Sequence, residues 1–121
     1  MKDYIYLADD NEDIRRFLPL MIGKLFPEYK NNIKTFENRK SLCDNLEKSD
    51  EKVKLVITDE EMPLMNGLEV VKKYSVIYPE TSFILMSGYE KKRESLEIGA
   101  KDFLMKPYEC QELKSTLEKY L

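Results

Sequence analysis

Five times along the chain a short apolar run is followed by a segment whose apolar residues recur every three or four positions. Tyr4–Ala8 reads as a strand, after which Ile14, Phe17, Leu18, Met21, Ile22 and Leu25 take the spacing of an amphipathic helix, with Pro19 inside it as a local bend. A weaker strand at Ile33–Phe36 leads to a short helix carrying Leu42 and Leu46 on one face. A third strand over 53–58 precedes a helix capped by Asn66 that turns Leu68, Val71, Tyr74 and Ile77 or Tyr78 inward and stops at Pro79. A fourth strand over 81–86 is followed by a charged helix near 90–98, a break at Gly99-Ala100, and a fifth strand at Asp102–Met105. The last helix starts after Pro107 and reaches the core through Leu113, Leu117 and Tyr120 or Leu121. Strands that alternate with helices in this way lie parallel, and right-handed crossovers cover both faces of the sheet. The expectation is an α/β domain, a doubly wound five-stranded parallel sheet occupying residues 1–121.

A chain of 121 residues buries enough surface for one continuous core and leaves no room for a second, output domain. Its two cysteines, Cys43 and Cys110, have neither a paired nor a metal-ligand spacing, which suits a reducing cytoplasm. No apolar run of 18 residues and no charged leader is present, so neither membrane insertion nor secretion is expected. A net charge of −3 without a long basic block argues against direct nucleic-acid binding by broad phosphate neutralisation. The local run Lys91-Lys92-Arg93 reads equally as a partner face or as solubilising charge, with no apolar anchor visible beside it.

Open parallel sheets bind at the carboxyl ends of their strands, and Asp9, Asp10, Asp59, Ser87 and Lys106 all fall at such ends. Taken singly each has a plain structural role. Asp9-Asp10 can cap a helix, Asp59 can open a turn, Ser87 can do either, and Lys106 can be a solvated surface lysine. Together they suggest more, because convergent carboxylates repel unless protons or a hard cation offset them, and Mg²⁺ prefers oxygen ligands. A carboxylate beside such an ion can attack phosphorus and hold an acyl phosphate, which makes Asp59 the candidate nucleophile. Ser87 can then donate to a phosphoryl oxygen and Lys106 can pair with it, while Phe103, lacking a hydroxyl, is confined to packing or to a change of rotamer. Glu61 either influences a water near the acyl phosphate or is an exposed loop acid.

Asp9-Asp10, Asp59 with Met62-Pro63 and Gly67, Ser87-Gly88, Gly99-Ala100, Phe103 and Lys106-Pro107 carry a resemblance, over essentially the entire chain, to the receiver domain of bacterial two-component response regulators, the single-domain chemotaxis regulators among them. The resemblance implies a flavodoxin-like sheet in the order 2-1-3-4-5 and phosphorylation of Asp59 by a histidine kinase or histidine phosphotransfer protein. It also implies Mg²⁺ held directly by Asp10, Asp59 and the Glu61 backbone carbonyl, with Asp9 acting through water. By the same resemblance Ser87 is the switch hydroxyl, Lys106 the phosphoryl-binding cation and Phe103 the switch aromatic. Ser87 stands where the family often has Thr, and Phe103 where it can have Tyr. Such a domain loses its phosphoryl group by its own chemistry without being a multiple-turnover enzyme. It acts on a downstream protein through its fourth helix, fifth strand and fifth helix, as a monomer or transient dimer. The competing readings are a phosphorylation-independent interaction module and a two-metal or haloacid-type phosphatase, which lacks an evident catalytic acid after Asp59 and is kept open by Glu61 alone.

Overall fold

The computed structural model describes residues 3–61 and 67–121. In chain order they form β1 (Tyr4–Ala8), α1 (Glu12–Leu25), a 3-10 turn (Pro27–Tyr29), β2 (Ile33–Phe36), α2 (Arg39–Lys48), β3 (Val53–Asp59), α3 (Gly67–Ile77), β4 (Ser82–Ser87), α4 (Lys92–Glu97), β5 (Asp102–Met105) and α5 (Cys110–Leu117). The strands make one parallel sheet in the order β2-β1-β3-β4-β5, as expected. The order reverses between β1 and β3, and the carboxyl ends of those two central strands carry Asp9 and Asp59.

The sheet is buried on both faces because successive side chains of a strand point to opposite sides. Tyr6, Ala8, Val56, Phe83, Leu85 and Phe103 pack with Leu42 and Leu46 of α2 and Val70, Val71 and Tyr74 of α3. The alternate residues Ile5, Leu7, Leu55, Ile57, Ile84, Met86 and Leu104 pack with Leu18 and Ile22 of α1 and Leu113 and Leu117 of α5. Helix α1 runs through Pro19, and its first turn is capped by the Asn11 side chain, which accepts from the amides of Asp13 and Ile14.

The inward side of α3 is as expected: Val71 and Tyr74 are buried, Leu68 and Tyr78 pack partly buried against the same core, and Ile77 is exposed, while Gly67 and Val70 join the buried stripe. Two local expectations are corrected. Strands β3 and β4 reach Asp59 and Ser87, each one residue past the expected end, since Asp59 pairs in register with Met86 and Ser87 with Met105. Helix α4 is shorter than the 90–98 expected and closes at Gly99, whose φ of +118° suits glycine alone and where a Cβ would collide with the Ser75 hydroxyl. The expected cap Asn66 and the pair Met62-Pro63 lie outside the described residues.

Gly67 brings α3 close against the end of β3. A Cβ there would sit 2.7 Å from Leu85 Cδ2, 3.0 Å from the Asp59 carbonyl oxygen and 3.1 Å from Glu60 Cα. Two of these obstacles are backbone and cannot swing aside. Gly67→Ala should therefore destabilise the domain by about 1–3 kcal/mol despite the better helix propensity of alanine. Urea unfolding would measure it, together with amide shifts at Asp59 and Glu60; an unchanged midpoint would mean that the loop yields freely.

Candidate functional site

The parallel register Ala8 with Thr58 sets the ends of β1 and β3 side by side, so the residues that follow face each other across the sheet edge. Asp9 is fully buried and Asp59 nearly so, while Asp10 is exposed. One oxygen from each of the three carboxylates lies within 4.8 Å of the others. Lys106, just beyond β5, crosses to this cluster with its Nζ 3.1 Å from Asp9 Oδ2 and 3.3 Å from Asp59 Oδ2. Its amide donates to the Ser87 carbonyl at 2.7 Å, which anchors the end of β5 to the end of β4 next to the same cluster. The Lys106-Pro107 peptide is cis.

Backbone donors and one further cation complete the setting. Asp9 Oδ1 accepts from the Asn11 amide at 2.9 Å, and the Asp9 carbonyl accepts from Arg15 at 3.1 Å. Asp59 Oδ1 accepts from the Glu61 amide at 3.3 Å. Burial and then the neighbouring Asp9 push the Asp59 carboxyl from an ordinary 3.8 up to about 6, against the pull of Lys106 and the Glu61 amide. Burial alone would lower the Lys106 ammonium, but Asp9 and Asp59 outweigh it and raise it.

Three carboxylates against one ammonium leave surplus negative charge, and all the convergent donors are oxygen. A hard divalent cation fits that donor set, since oxygens bound to one such ion at about 2.0–2.6 Å lie within a few Å of each other.

The remaining expected residues surround the cluster. Ser87 is buried, its hydroxyl accepting from the Tyr89 amide at 3.0 Å. Phe103 is buried in the core beside Leu85 and Ala100, on the α3 side of the sheet. Glu61 sends its carboxylate to the segment after β4, where it accepts from the Gly88 amide at 2.7 Å. Burial would raise the Glu61 carboxyl, but the Gly88 amide and the Ser87 hydroxyl outweigh it and hold it below the ordinary range.

Two features have no counterpart in the sequence reading. Arg39, at the start of α2, is buried and donates through Nη2 to the carbonyls of Asp59 at 3.4 Å and Glu60 at 3.0 Å, bracing the turn that carries the candidate nucleophile. Glu60 is buried against Lys91, with Oε1 3.1 Å from Nζ. This divides the basic run Lys91-Lys92-Arg93, which reads equally as a partner face or as solubilising charge, for Lys91 is tied to the site and Arg93 is paired with Glu97 on its own helix. The only hint in the chain is the unbroken acidic run Asp59-Glu60-Glu61, which does not name its distant partners.

The response regulator receiver domain family model matches residues 5–118. The chain belongs to this family. The receiver is 41% identical over 70 residues to the uncharacterized transcriptional regulatory protein YesN of Bacillus subtilis, a match spanning 55% of this chain and 19% of that longer protein. It is 31% identical over 122 residues to a chemotaxis protein CheY homolog of Campylobacter jejuni, covering 97% of this chain and 91% of the homolog. Among solved structures, the BeF3-activated receiver domain of DrrB, a Thermotoga maritima OmpR/PhoB homologue, superposes with a TM-score of 0.80 at 22% identity, over 99% of this chain and 97% of that one. The clustered Asp9, Asp10 and Asp59 of this receiver suit divalent-cation binding and phosphoaspartate chemistry. Among the described residues no helix is long and apolar enough to cross a membrane.

Because the folded domain raises the Asp59 carboxyl, its ionised form opposes folding at neutral pH, and the penalty is relieved as pH falls from about 6 toward 3.8. In EDTA at pH 7.5, Asp59→Asn should be more stable than the parent by about 1–3 kcal/mol, with the difference largely gone at pH 4. Urea unfolding at the two pH values measures this, and a pH-independent difference would contradict the electrostatic origin.

Proposed function

We propose that residues 1–121 form a receiver whose Asp59 accepts a phosphoryl group from a phosphohistidine, on a histidine kinase or a histidine phosphotransfer protein. The observation that carries this is the Asp59 carboxylate held at the switch point of the sheet between Asp9, Asp10 and the Lys106 ammonium. An Asp59 oxygen would form the new P–O bond while the P–N bond to the donor imidazole breaks, and the leaving nitrogen would keep the electron pair. Lys106, already 3.3 Å from Asp59 Oδ2, would exchange that contact for a phosphoryl oxygen.

We take Mg²⁺ as the ion, held by Asp10, Asp59 and the Glu61 carbonyl with Asp9 behind a water. When bound it offsets charge on the phosphoryl oxygens. Hydrolysis would restore the aspartate, with water attacking phosphorus and Asp59 leaving as carboxylate. These are single events on one site and do not amount to multiple-turnover catalysis. Beryllofluoride activation of the related DrrB receiver supports the same chemistry here.

In the response to phosphorylation, the Ser87 hydroxyl would redirect its donation from the Glu61 carboxylate to a phosphoryl oxygen, and Phe103 would repack as that segment moves. The readout surface would be α4, β5 and α5, acting on a downstream protein without direct nucleic-acid contact. Exposed Tyr89, Leu96 and Met105 supply the apolar anchors there that no sequence signal marked. We place the domain in the cytoplasm as a monomer or transient dimer.

Intact mass after incubation with acetyl phosphate and Mg²⁺ tests the proposal. A labile gain of ~80 Da, one phosphoryl group replacing a proton, is expected for the parent and not for Asp59→Asn or for the parent in EDTA. No gain under conditions that modify a control receiver would favour a phosphorylation-independent interaction module.

A further inference from the structure

The two acids that follow Asp59 both reach the segment between β4 and α4. Glu60 is fastened to β4 by its amide on the Met86 carbonyl at 2.8 Å and to that segment by its carboxylate on Lys91 at 3.1 Å. Glu61 works in two directions. Its amide donates to Asp59 Oδ1 at 3.3 Å, while its carboxylate accepts from the Gly88 amide at 2.7 Å, next to Ser87. A single residue therefore bonds both the candidate phosphoacceptor and the donors just beyond the switch hydroxyl.

We propose that the Glu61 carboxylate is an internal anion that occupies the Gly88 amide in the resting domain, and that a phosphoryl group on Asp59 displaces it. The inference rests on Asp59 being the phosphoacceptor. Asp59 and Gly88 lie on adjoining strand ends, because Asp59 pairs with Met86 two residues before Gly88. A tetrahedral dianion added to Asp59 comes within reach of the same donors, and one N–H cannot serve two anions fully. The like charges also repel, so the carboxylate two residues away is the group that yields. Its departure frees the Gly88 amide and the Ser87 region together, while the Glu60–Lys91 pair keeps the segment attached to the site as it rearranges. Glu61 is on this account a positioning residue that biases the switch toward its resting arrangement, and no proton or bond exchange passes through it.

Beryllofluoride titrated at saturating Mg²⁺ into the parent, Glu61→Gln and Glu61→Ala, followed through the Gly88 amide in 15N–1H spectra, is the test. Before addition, the Gly88 proton should move upfield in both variants, as it loses a charged acceptor. At saturation the Gly88 signals of all three proteins should converge, and both variants should bind beryllofluoride about 3- to 10-fold more tightly than the parent. A parent-to-variant difference at Gly88 that persists at saturation, or variant affinities equal to or weaker than the parent's, would overturn the inference while leaving Asp59 as phosphoacceptor. Failure of all three proteins to bind would overturn the phosphoacceptor reading itself, and this inference with it.

Discussion

The Lys106 ammonium between Asp9 and Asp59 is the contact on which the rest of the site depends. Two carboxylates taken almost wholly out of water at adjoining strand ends cost more than either would alone, and one lysine only partly offsets them. The remaining strain is visible in the raised Asp59 carboxyl. A site held in this condition responds strongly to whatever changes its charge. A cation would relieve it, and the proposed phosphoryl group on Asp59 would draw Lys106 toward new oxygens. The surrounding structure keeps the carboxylates from escaping: Asn11 and Arg15 hold Asp9, Arg39 braces the carbonyls of Asp59 and Glu60, and Gly67 lets α3 approach behind them.

The fold makes this arrangement possible because the strand order reverses between β1 and β3. The chain then leaves β1 and β3 toward opposite faces, α1 packing on one side of the sheet and α3 on the other, which opens a crevice at the two strand ends. Lys106 arrives from the far edge strand, and its amide bond to the Ser87 carbonyl couples the cation's position to the end of β4. A change at Asp59 can therefore reach Ser87 along two routes, through Lys106 on one side and through Glu61 and Gly88 on the other. Both routes end at Ser87 and Gly88, in the segment that leads from β4 to α4.

Much of this was legible in the chain. Short apolar runs mark the strands and three-to-four-residue spacing marks the helices, and the runs end on the residues that form the site, so a doubly wound parallel sheet with Asp9, Asp10, Asp59 and Lys106 at its strand ends follows from position, while the strand order comes from the family resemblance. The misplaced details share a physical cause. Strand ends at Asp59 and Ser87 are set by register with neighbouring strands, and the close of α4 by Gly99, whose positive φ and approach to Ser75 fix the turn there. Arg39 itself, and the partner of Lys91, went unmarked because the contacts are to carbonyls and a carboxylate many residues away, and nothing local distinguishes such residues from solvated basic side chains. The exposed Tyr89, Leu96 and Met105 escaped for the opposite reason, since isolated apolar residues form a surface only after folding.

Asp59 as the nucleophile toward phosphorus is tested most directly by chemical trapping of the modified side chain. Borohydride reduces an acyl phosphate to an alcohol, so treatment after exposure to acetyl phosphate and Mg²⁺ should convert residue 59 to homoserine, read by peptide mass mapping. Homoserine confined to position 59 is the predicted result. Its appearance at Asp9 or Asp10 instead, or its absence from a folded protein that binds Mg²⁺, would contradict the central claim.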